Sequence, residues 1–255
     1  MARRAVILAS CAVLPLLLLA GCASNSAGYT WGWYIFNPLS AKGLGNIQFM
    51  AAGLGLTVAL AVCAIVLSVA IGITMALAGM SSSRLLRGSA RTYVECLRSI
   101  PLLVLLLWVY YGLPVITGLQ FTAFTAGVLS LALSDSAFEA EVFRAGIQSV
   151  AKGQREAARS LGLSSWNTFR LVVFPQAIRT ILPALGNQFV YVLKMSSLVS
   201  VIGLQELTRR ANELNVTEYR PLEIYTMLVL EYLVLILITS WGVRALERRM
   251  SRHQH

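Results

Sequence analysis

At 255 residues, 57% hydrophobic, 13% charged and with a mean hydropathy of +0.70, the chain is too apolar for an ordinary soluble domain and too long for a single membrane span. It reads as one all-α polytopic membrane domain. Its net charge of +10 is carried by separated clusters between apolar runs, so positive-inside topology explains it better than a nucleic-acid surface. The cysteines (Cys11, Cys22, Cys63, Cys96) form no C-x-x-C pair and both histidines, His253 and His255, lie in the tail, which gives metal and thiol chemistry no support.

The first segment, residues 1–22, carries Arg3 and Arg4, an apolar run from Ala5 to Leu19, and then Leu19-Ala20-Gly21-Cys22. A charged start followed by a short apolar run is a secretory signal in form. Its end resembles the bacterial lipoprotein signal, which marks Cys22 as a possible lipidation site; an uncleaved signal anchor is the alternative. Both place Ala23 onward outside the cytoplasm. Residues 23–49 then form a periplasmic or interfacial segment, in which Tyr29, Trp31, Trp33, Tyr34 and Phe36 suit the membrane–water boundary.

Residues 50–250 hold the expected transmembrane domain, with 251–255 as a cytoplasmic tail. A first span is expected over Met50 to Ala78, where Gly53, Gly55, Ala59, Gly72 and Ala76 permit close helix packing. Arg84, Arg87 and Arg91 mark a cytoplasmic loop. The second span runs from Tyr93 to Leu113, kinked at Pro101 and ended by Pro114. A third runs from Phe121 to Ile147, a fourth and more polar one from Thr180 to Ile202, and the last from Leu222 to Val243. Between the fourth and fifth, Leu204 to Pro221 reads as a periplasmic connection in which Glu206, Glu213 and Glu218 balance Arg209, Arg210 and Arg220. Five spans with the start outside and the end inside satisfy the charge bias.

One stretch interrupts this pattern. Residues 153–177, GQREAARSLGLSSWNTFRLVVFPQA, are polar and basic, and read as two short helices on a cytoplasmic loop. Glu156 is placed in the first turn of a helix in which Ala157 and Ala158 are strong helix formers. Gly162 suits a left-handed stop, Ser164 caps a second helix through Trp166 and Phe169, and Pro175 marks entry into a new segment.

Inside the membrane, Asp135 and Glu139 share one face of the third span, being four residues apart. Either they line a substrate path and meet a cationic group such as an ammonium, or they form a structural pair with Lys194 or another basic residue. The fourth span carries Asn187, Tyr191 and Lys194 at helical spacing with Gln188 beside them. Lys194 attracts a substrate carboxylate or neutralises Asp135 or Glu139. Glu141 with Arg144, and Glu95 with Arg98, read as local ion pairs at helical spacing.

Glu156-Ala157-Ala158, Gly162, Val172 and Pro175 at these spacings resemble the EAA loop in the membrane subunits of bacterial ATP-binding-cassette (ABC) importers, with Val172 and Phe174 where isoleucine and leucine are more usual. The resemblance extends over most of the chain after residue 50. Tyr93 to Leu103 with Arg98-Ser99-Ile100-Pro101 at its centre, Ala137 to Gln148, Gly153-Gln154, Pro175-Gln176-Ala177, Asn187-Gln188, Lys194 to Ile202 and Glu206-Leu207 look like the polar amino acid subfamily of type I importers. Met195 departs from the acidic residue that commonly follows the lysine there, and Asp135 and Glu139 stand at positions more often neutral. The wording around Arg98 and Arg144 leans towards glutamate/aspartate permeases; basic amino acids or another small polar solute are the alternative.

The resemblance implies a five-helix permease of the bacterial inner membrane, not an enzyme, which pairs with a second copy or a homologous permease. It further implies an amino acid delivered by a periplasmic or lipid-anchored substrate-binding protein, and a cytoplasmic ABC ATPase dimer that docks on the coupling loop through Gln154, Glu156, Ala157, Ala158, Leu161 and Gly162. The candidate path residues, read from the polar positions within the spans and not from the resemblance, are Asp135, Glu139, Asn187, Tyr191 and Lys194. No G-x-x-x-x-G-K-[ST] phosphate loop occurs in the chain, so no cofactor is expected on it, and ATP and Mg belong to the partner. Two other classes fit the residues less well. An intramembrane enzyme would have only Asp135 and Glu139 to work with, and a lipoprotein scaffold without transport would explain Cys22 but not the polar stripe.

Overall fold

The computed structural model describes residues 29–251; the segment expected to be a signal, including Cys22, lies outside the described residues. The chain divides into two compact units, residues 1–34 and 35–255. In the first, Tyr29 meets Trp31 edge-on with ring centroids 5.8 Å apart, and Trp31 stacks on Trp33 at 6.0 Å.

The second unit is helical, with no strand among the described residues. It opens with α1 (Ala41–Ala51), capped by Ser40, whose Oγ accepts from the Gly43 amide at 3.0 Å. Ala52 keeps helical angles, so α1 runs on into α2 (Gly53–Gly79) as one apolar stretch of 39 residues that begins well before the expected Met50. Buried on α2 are Thr57, Ala61, Ala64, Ser68, Gly72 and Ala76, small residues three or four apart that form a single stripe. Gly55 and Ala59, expected to help the packing, fall off that stripe and are exposed.

The second span is not a kinked helix. α3 (Arg84–Ser99) and α4 (Leu102–Leu107) meet at a bend of 101°, because Ile100 and Pro101 are both extended. Proline pushes its predecessor out of the helical region, and here no helix survives the junction. Nor does Pro114 end the span. A π-helical turn over Trp108–Gly112 lets the Leu113 amide bond five residues back to Trp108, and α5 (Leu113–Thr117) passes through Pro114 to stop at Gly118, φ +72°.

α6 (Ala123–Gln148), capped by Thr122, is buried on several faces and packs most extensively on the small-residue stripe of α2. α7 (Lys152–Ser160) follows, then α8 (Ser165–Thr168), a second π turn at Phe169–Val173 and α9 (Phe174–Met195). Pro175 was expected to open a new segment; instead the Phe174 amide bonds back to Phe169 across the π turn and the helix continues. Both prolines use one device: the widened turn before the ring spares the clash with the carbonyl four residues earlier. The fourth span therefore starts at Ser165 and runs 38 residues to Ile202, its end tightened into a 3-10 helix and stopped by Gly203, φ +88°.

The expected periplasmic connection contains a helix, α10 (Leu207–Glu218), which ends at Tyr219 in the left-handed region, and α11 (Pro221–Ser251) completes the chain. Among the described residues three helices are long and apolar enough to cross a membrane, four if the bent α3–α4 to α5 pair counts as one. α6 is about 39 Å long for its 26 residues but carries Asp135, Glu139, Glu141 and Arg144 and lies outside that count, so the five expected spans are not all matched by apolar length. Leu60, Ala61, Leu106, Leu131, Val192 and Leu193 form the core where α2, α4, α6 and α9 meet. Exposed Val229, Leu230, Leu233, Leu237 and Ile238 leave α11 apolar on its outer side, as lipid requires.

Candidate functional site

The loop after α6 is built to hold one short helix rigidly at its tip. Gly162 adopts φ +80°, a conformation that penalises a Cβ, and its amide closes the last turn of α7 on Arg159 at 2.9 Å. The Leu163 amide reaches Ala158 at 3.1 Å, completing the stop. Ser164 then caps α8 through the Asn167 amide at 3.3 Å, as the sequence predicts. Glu156 is a correction: it is the fifth residue of α7, whose first turn has no acid, so it does not serve the helix N-terminus.

Ala158 is buried beneath α7 at 4% exposure, while Gln154, Glu156, Ala157 and Leu161 point outward. Leu161 is 83% exposed, and Trp166 on α8, stacked on Phe169, is still 66% exposed, so both present large apolar surface. Two ties fix the tip to the body. Arg155 Nη2 donates to the Ile147 carbonyl at 2.5 Å, at the end of α6, and Val150, Val173, Ala177, Phe143 and Ile181 form one buried cluster behind the loop. Nothing in the sequence around Arg155 announces the bond to Ile147.

The polar interior departs from expectation. Asp135, 2% exposed, accepts hydrogen bonds from Ser68 Oγ on α2 at 2.7 Å and from Gln188 Nε2 on α9. Lys194 does not join Asp135 or Glu139. Asn187, Tyr191 and Lys194 do form one stripe, as their spacing predicts, but it is an exposed face of α9 turned away from the carboxylates. Gln188, one residue on and about 100° round the helix, is the contact that ties α9 to α6. Glu139 is fully buried, neither carboxylate oxygen has a hydrogen-bond partner among the described residues, and its Cβ lies against Gly72, where an added Cβ would stand only 2.6 Å away.

At the end of α6 the expected pair of Glu141 and Arg144 forms, with Arg144 also donating to Gln148 at 3.0 Å. The other expected pair does not. Glu95 pairs with Arg91 at 2.9 Å, one turn earlier, and Arg98 sits over the Phe138 ring at 5.2 Å from its centroid. Sequence spacing allowed both partners; the packing of α3 on α6 brings Phe138 to Arg98.

At the opposite end, Glu206, a balancing charge and part of the resemblance in the sequence, is a structural contact. It is fully buried and caps α10 through the Arg209 amide at 2.8 Å, and it accepts from Tyr232 Oη of α11 at 3.0 Å. Burial pushes its carboxyl above the ordinary glutamate value, and these bonds only partly oppose that. The Leu207 amide adds a bond to Thr57 Oγ1 at 3.2 Å, so α2, α10 and α11 meet at one polar knot. Arg209 pairs with Glu213, Glu218 with Lys42, and Arg210 lies over the Phe49 ring.

A multi-pass helical bundle with a broken second span, carrying a short apolar tip on a helix that continues into the bundle, has the architecture of a polytopic membrane component. Comparison with known proteins gives the family. Residues 68–252 match the model described as "Binding-protein-dependent transport system inner membrane component". The chain is 36% identical over 220 residues, 86% of its length and 96% of the relative's, to the probable amino-acid ABC transporter permease protein YckA of Bacillus subtilis. It is 39% identical over 189 residues, 69% of this chain and 86% of the relative, to the glutamine transport system permease protein GlnP of Escherichia coli, and 35% identical over 205 residues, 80% and 94%, to the arginine transport system permease protein ArtQ of B. subtilis. A solved structure described as an amino acid ABC transporter with histidines superposes with a TM-score of 0.79 at 41% identity, covering 87% of this chain and all of that one. The chain belongs to the family of binding-protein-dependent inner-membrane transport components, as an amino acid ABC importer permease with multiple passes through the inner membrane.

Proposed function

We propose that this permease lines the path of a polar amino acid and couples it to a cytoplasmic ABC ATPase dimer that uses ATP and Mg. The observation that carries the reading is the single helical run from Ser165 to Ile202, which joins the loop tip at one end to the Asn187, Tyr191 and Lys194 stripe near the other. The ATPase docks on Gln154, Glu156, Ala157 and Leu161, with Ala158 packed beneath and Gly162 setting the bend. Motion of the tip passes along α9 directly, and into α6 through Arg155 and the buried cluster behind it.

Asn187, Tyr191 and Lys194 form the exposed wall of the path. Asp135 holds that wall in register through Gln188, and Glu139 stands behind it against Gly72. An exposed wall with a lysine and no carboxylate favours the carboxylate end of an amino acid. That end is common to all amino acids, so glutamate or aspartate as cargo rests on the Arg98 and Arg144 segments. A second copy or a homologous permease supplies the facing wall, and a periplasmic or lipid-anchored binding protein delivers the solute.

Uptake into proteoliposomes holding the permease, its ATPase and its binding protein, with acidic, amide and basic amino acids in competition, tests the reading. ATP-dependent uptake led by glutamate or aspartate is expected. Uptake led by glutamine or arginine, the solutes in the names of GlnP and ArtQ, overturns the acidic assignment, and no uptake of any amino acid overturns the path itself.

A further inference from the structure

A cavity of about 430 Å³ lies away from the exposed stripe of α9, between the end of α2, the basic face of α3 and the end of α6. Its floor is apolar and small: Ala76, Ala90 and Ala140 with Met75 and Val94. Its walls carry Arg87, Arg91, Arg98 and Arg144 against only two carboxylates, Glu95 and Glu141.

The carboxylates are already engaged. Glu95 is paired with Arg91 and Glu141 with Arg144, which leaves Arg87 and Arg98 with no salt bridge to a carboxylate among the described residues. Arg98 is steadied over the Phe138 ring, which leaves its guanidinium N–H groups for an acceptor. Arg84, Arg87, Arg91 and Arg98 recur three, four and seven residues apart along α3, so they share one face of that helix. Leu85, 81% exposed, and Leu86, 49% exposed, adjoin this basic start of the helix and offer it apolar cover.

We propose that this cavity binds a phosphate-bearing anion, the headgroup of an anionic phospholipid of the adjoining leaflet. Guanidinium forks match phosphate oxygens in geometry as well as charge, and the volume lies in the range of small-ligand sites. The inference rests on the proposed cytoplasmic placement of the loop, because α2 and α6 end at that same side, where basic pockets between spans meet anionic headgroups. Occupied, the site bridges α3 to α6 next to the turn that Arg155 ties to the coupling helix.

The test is binding of phosphatidylglycerol to the purified, delipidated full-length permease–ATPase complex, followed by native mass spectrometry, with phosphatidylcholine and inorganic pyrophosphate as comparison probes. Wild type is expected to retain phosphatidylglycerol selectively. R87Q and R98Q are each expected to weaken retention about fivefold, and Glu95→Gln, which leaves the cavity more positive, to strengthen it. Arg244→Gln, a basic change outside the cavity, is expected to leave retention unchanged. Competition by pyrophosphate assigns the site to a soluble phosphate within the same chemistry, and its absence assigns the lipid. Equal retention of phosphatidylcholine, wild-type retention by the R87Q/R98Q double variant, or an equal loss on Arg244→Gln overturns the site. Because Glu95→Gln must move binding in the opposite direction, a variant that merely misfolds cannot imitate the expected pattern. Uptake is not the readout, so failure here leaves the transport reading standing.

Discussion

Replacing Asp135 by alanine removes the acceptor that joins three helices. The carboxylate, 2% exposed, takes hydrogen bonds from Ser68 on α2 and Gln188 on α9 while itself belonging to α6. Ser68 can turn its hydroxyl to the carbonyl four residues back, so its loss is largely recovered. Gln188 has no such local outlet, and an unmet buried donor costs about 1–3 kcal/mol. With the space left by the side chain added, Asp135→Ala is expected to destabilise the permease by roughly 2–4 kcal/mol. Asparagine keeps the shape and one carbonyl acceptor, and Ser68 can accept from its amide, so Asp135→Asn is expected to cost about 1 kcal/mol or less. Unfolding of the purified full-length chain in mixed detergent micelles with increasing sodium dodecyl sulfate measures both. A Gln188→Ala, Asp135→Ala double-mutant cycle should then show coupling of about 0.5–3 kcal/mol. Asp135→Asn is also expected to lower uptake while the complex still assembles, since α9 carries the proposed path wall. An alanine variant as stable as wild type, or one more stable than the asparagine variant, refutes the three-helix bond; unchanged uptake kinetics in the asparagine variant refute its link to the path.

Two further outcomes follow from the packing and the outer polar knot. Gly72→Ala puts a Cβ 2.6 Å from that of Glu139 and 3.2 Å from the Ala140 amide nitrogen, which forces α2 and α6 apart at a cost of about 1–3 kcal/mol, whereas Gly55→Ala meets nothing within 4 Å and is expected to be neutral or slightly stabilising in the same unfolding assay. Glu206 has a folded-state value raised by burial, so the stability it contributes is fully present below the ordinary glutamate value of 4.5 and is lost as pH rises through its raised value. Against a Glu206→Gln variant, wild type should therefore lose relative stability with rising pH across that window, and a relative gain would show that the carboxyl is held ionised.

The spans were legible because lipid imposes a simple demand, apolar length between basic loops, and each apolar run in the described region is helical. Proline was the weak point. Pro101, Pro114 and Pro175 look alike in a sequence, yet the first breaks its helix by 101° and the other two are carried through by π turns, a choice made by the carbonyl register of the preceding turn. The stop at Gly162 and the cap at Ser164 in the proposed coupling loop were legible because both are local backbone events. The partners of Asp135 were not. Choosing Gln188 over Lys194 requires the rotation of α9 about its axis, which is set by packing against α6. One signal was present: Ala177, Ile181, Gln188 and Val192 are spaced four, seven and four apart, so Gln188 is the polar member of the inward stripe and the natural partner of an inward carboxylate. For Arg98 the competing partner was an aromatic ring on another helix, which spacing along one helix cannot reveal.

The proposal that the loop tip drives the path is tested most directly by the number of amino acid molecules imported per ATP hydrolysed in proteoliposomes containing the permease, its ATPase and its binding protein, for wild type and Gly162→Val. At φ +80° a β-branched residue is strained although its Cβ would meet no neighbour within 4 Å, so the change acts on the bend and not on the packing. With about 1.4 kcal/mol of that strain expressed in the docked geometry, import per ATP is expected to fall about tenfold in an assembled complex that still hydrolyses ATP. Full ATP-driven import by the valine variant would contradict the lever.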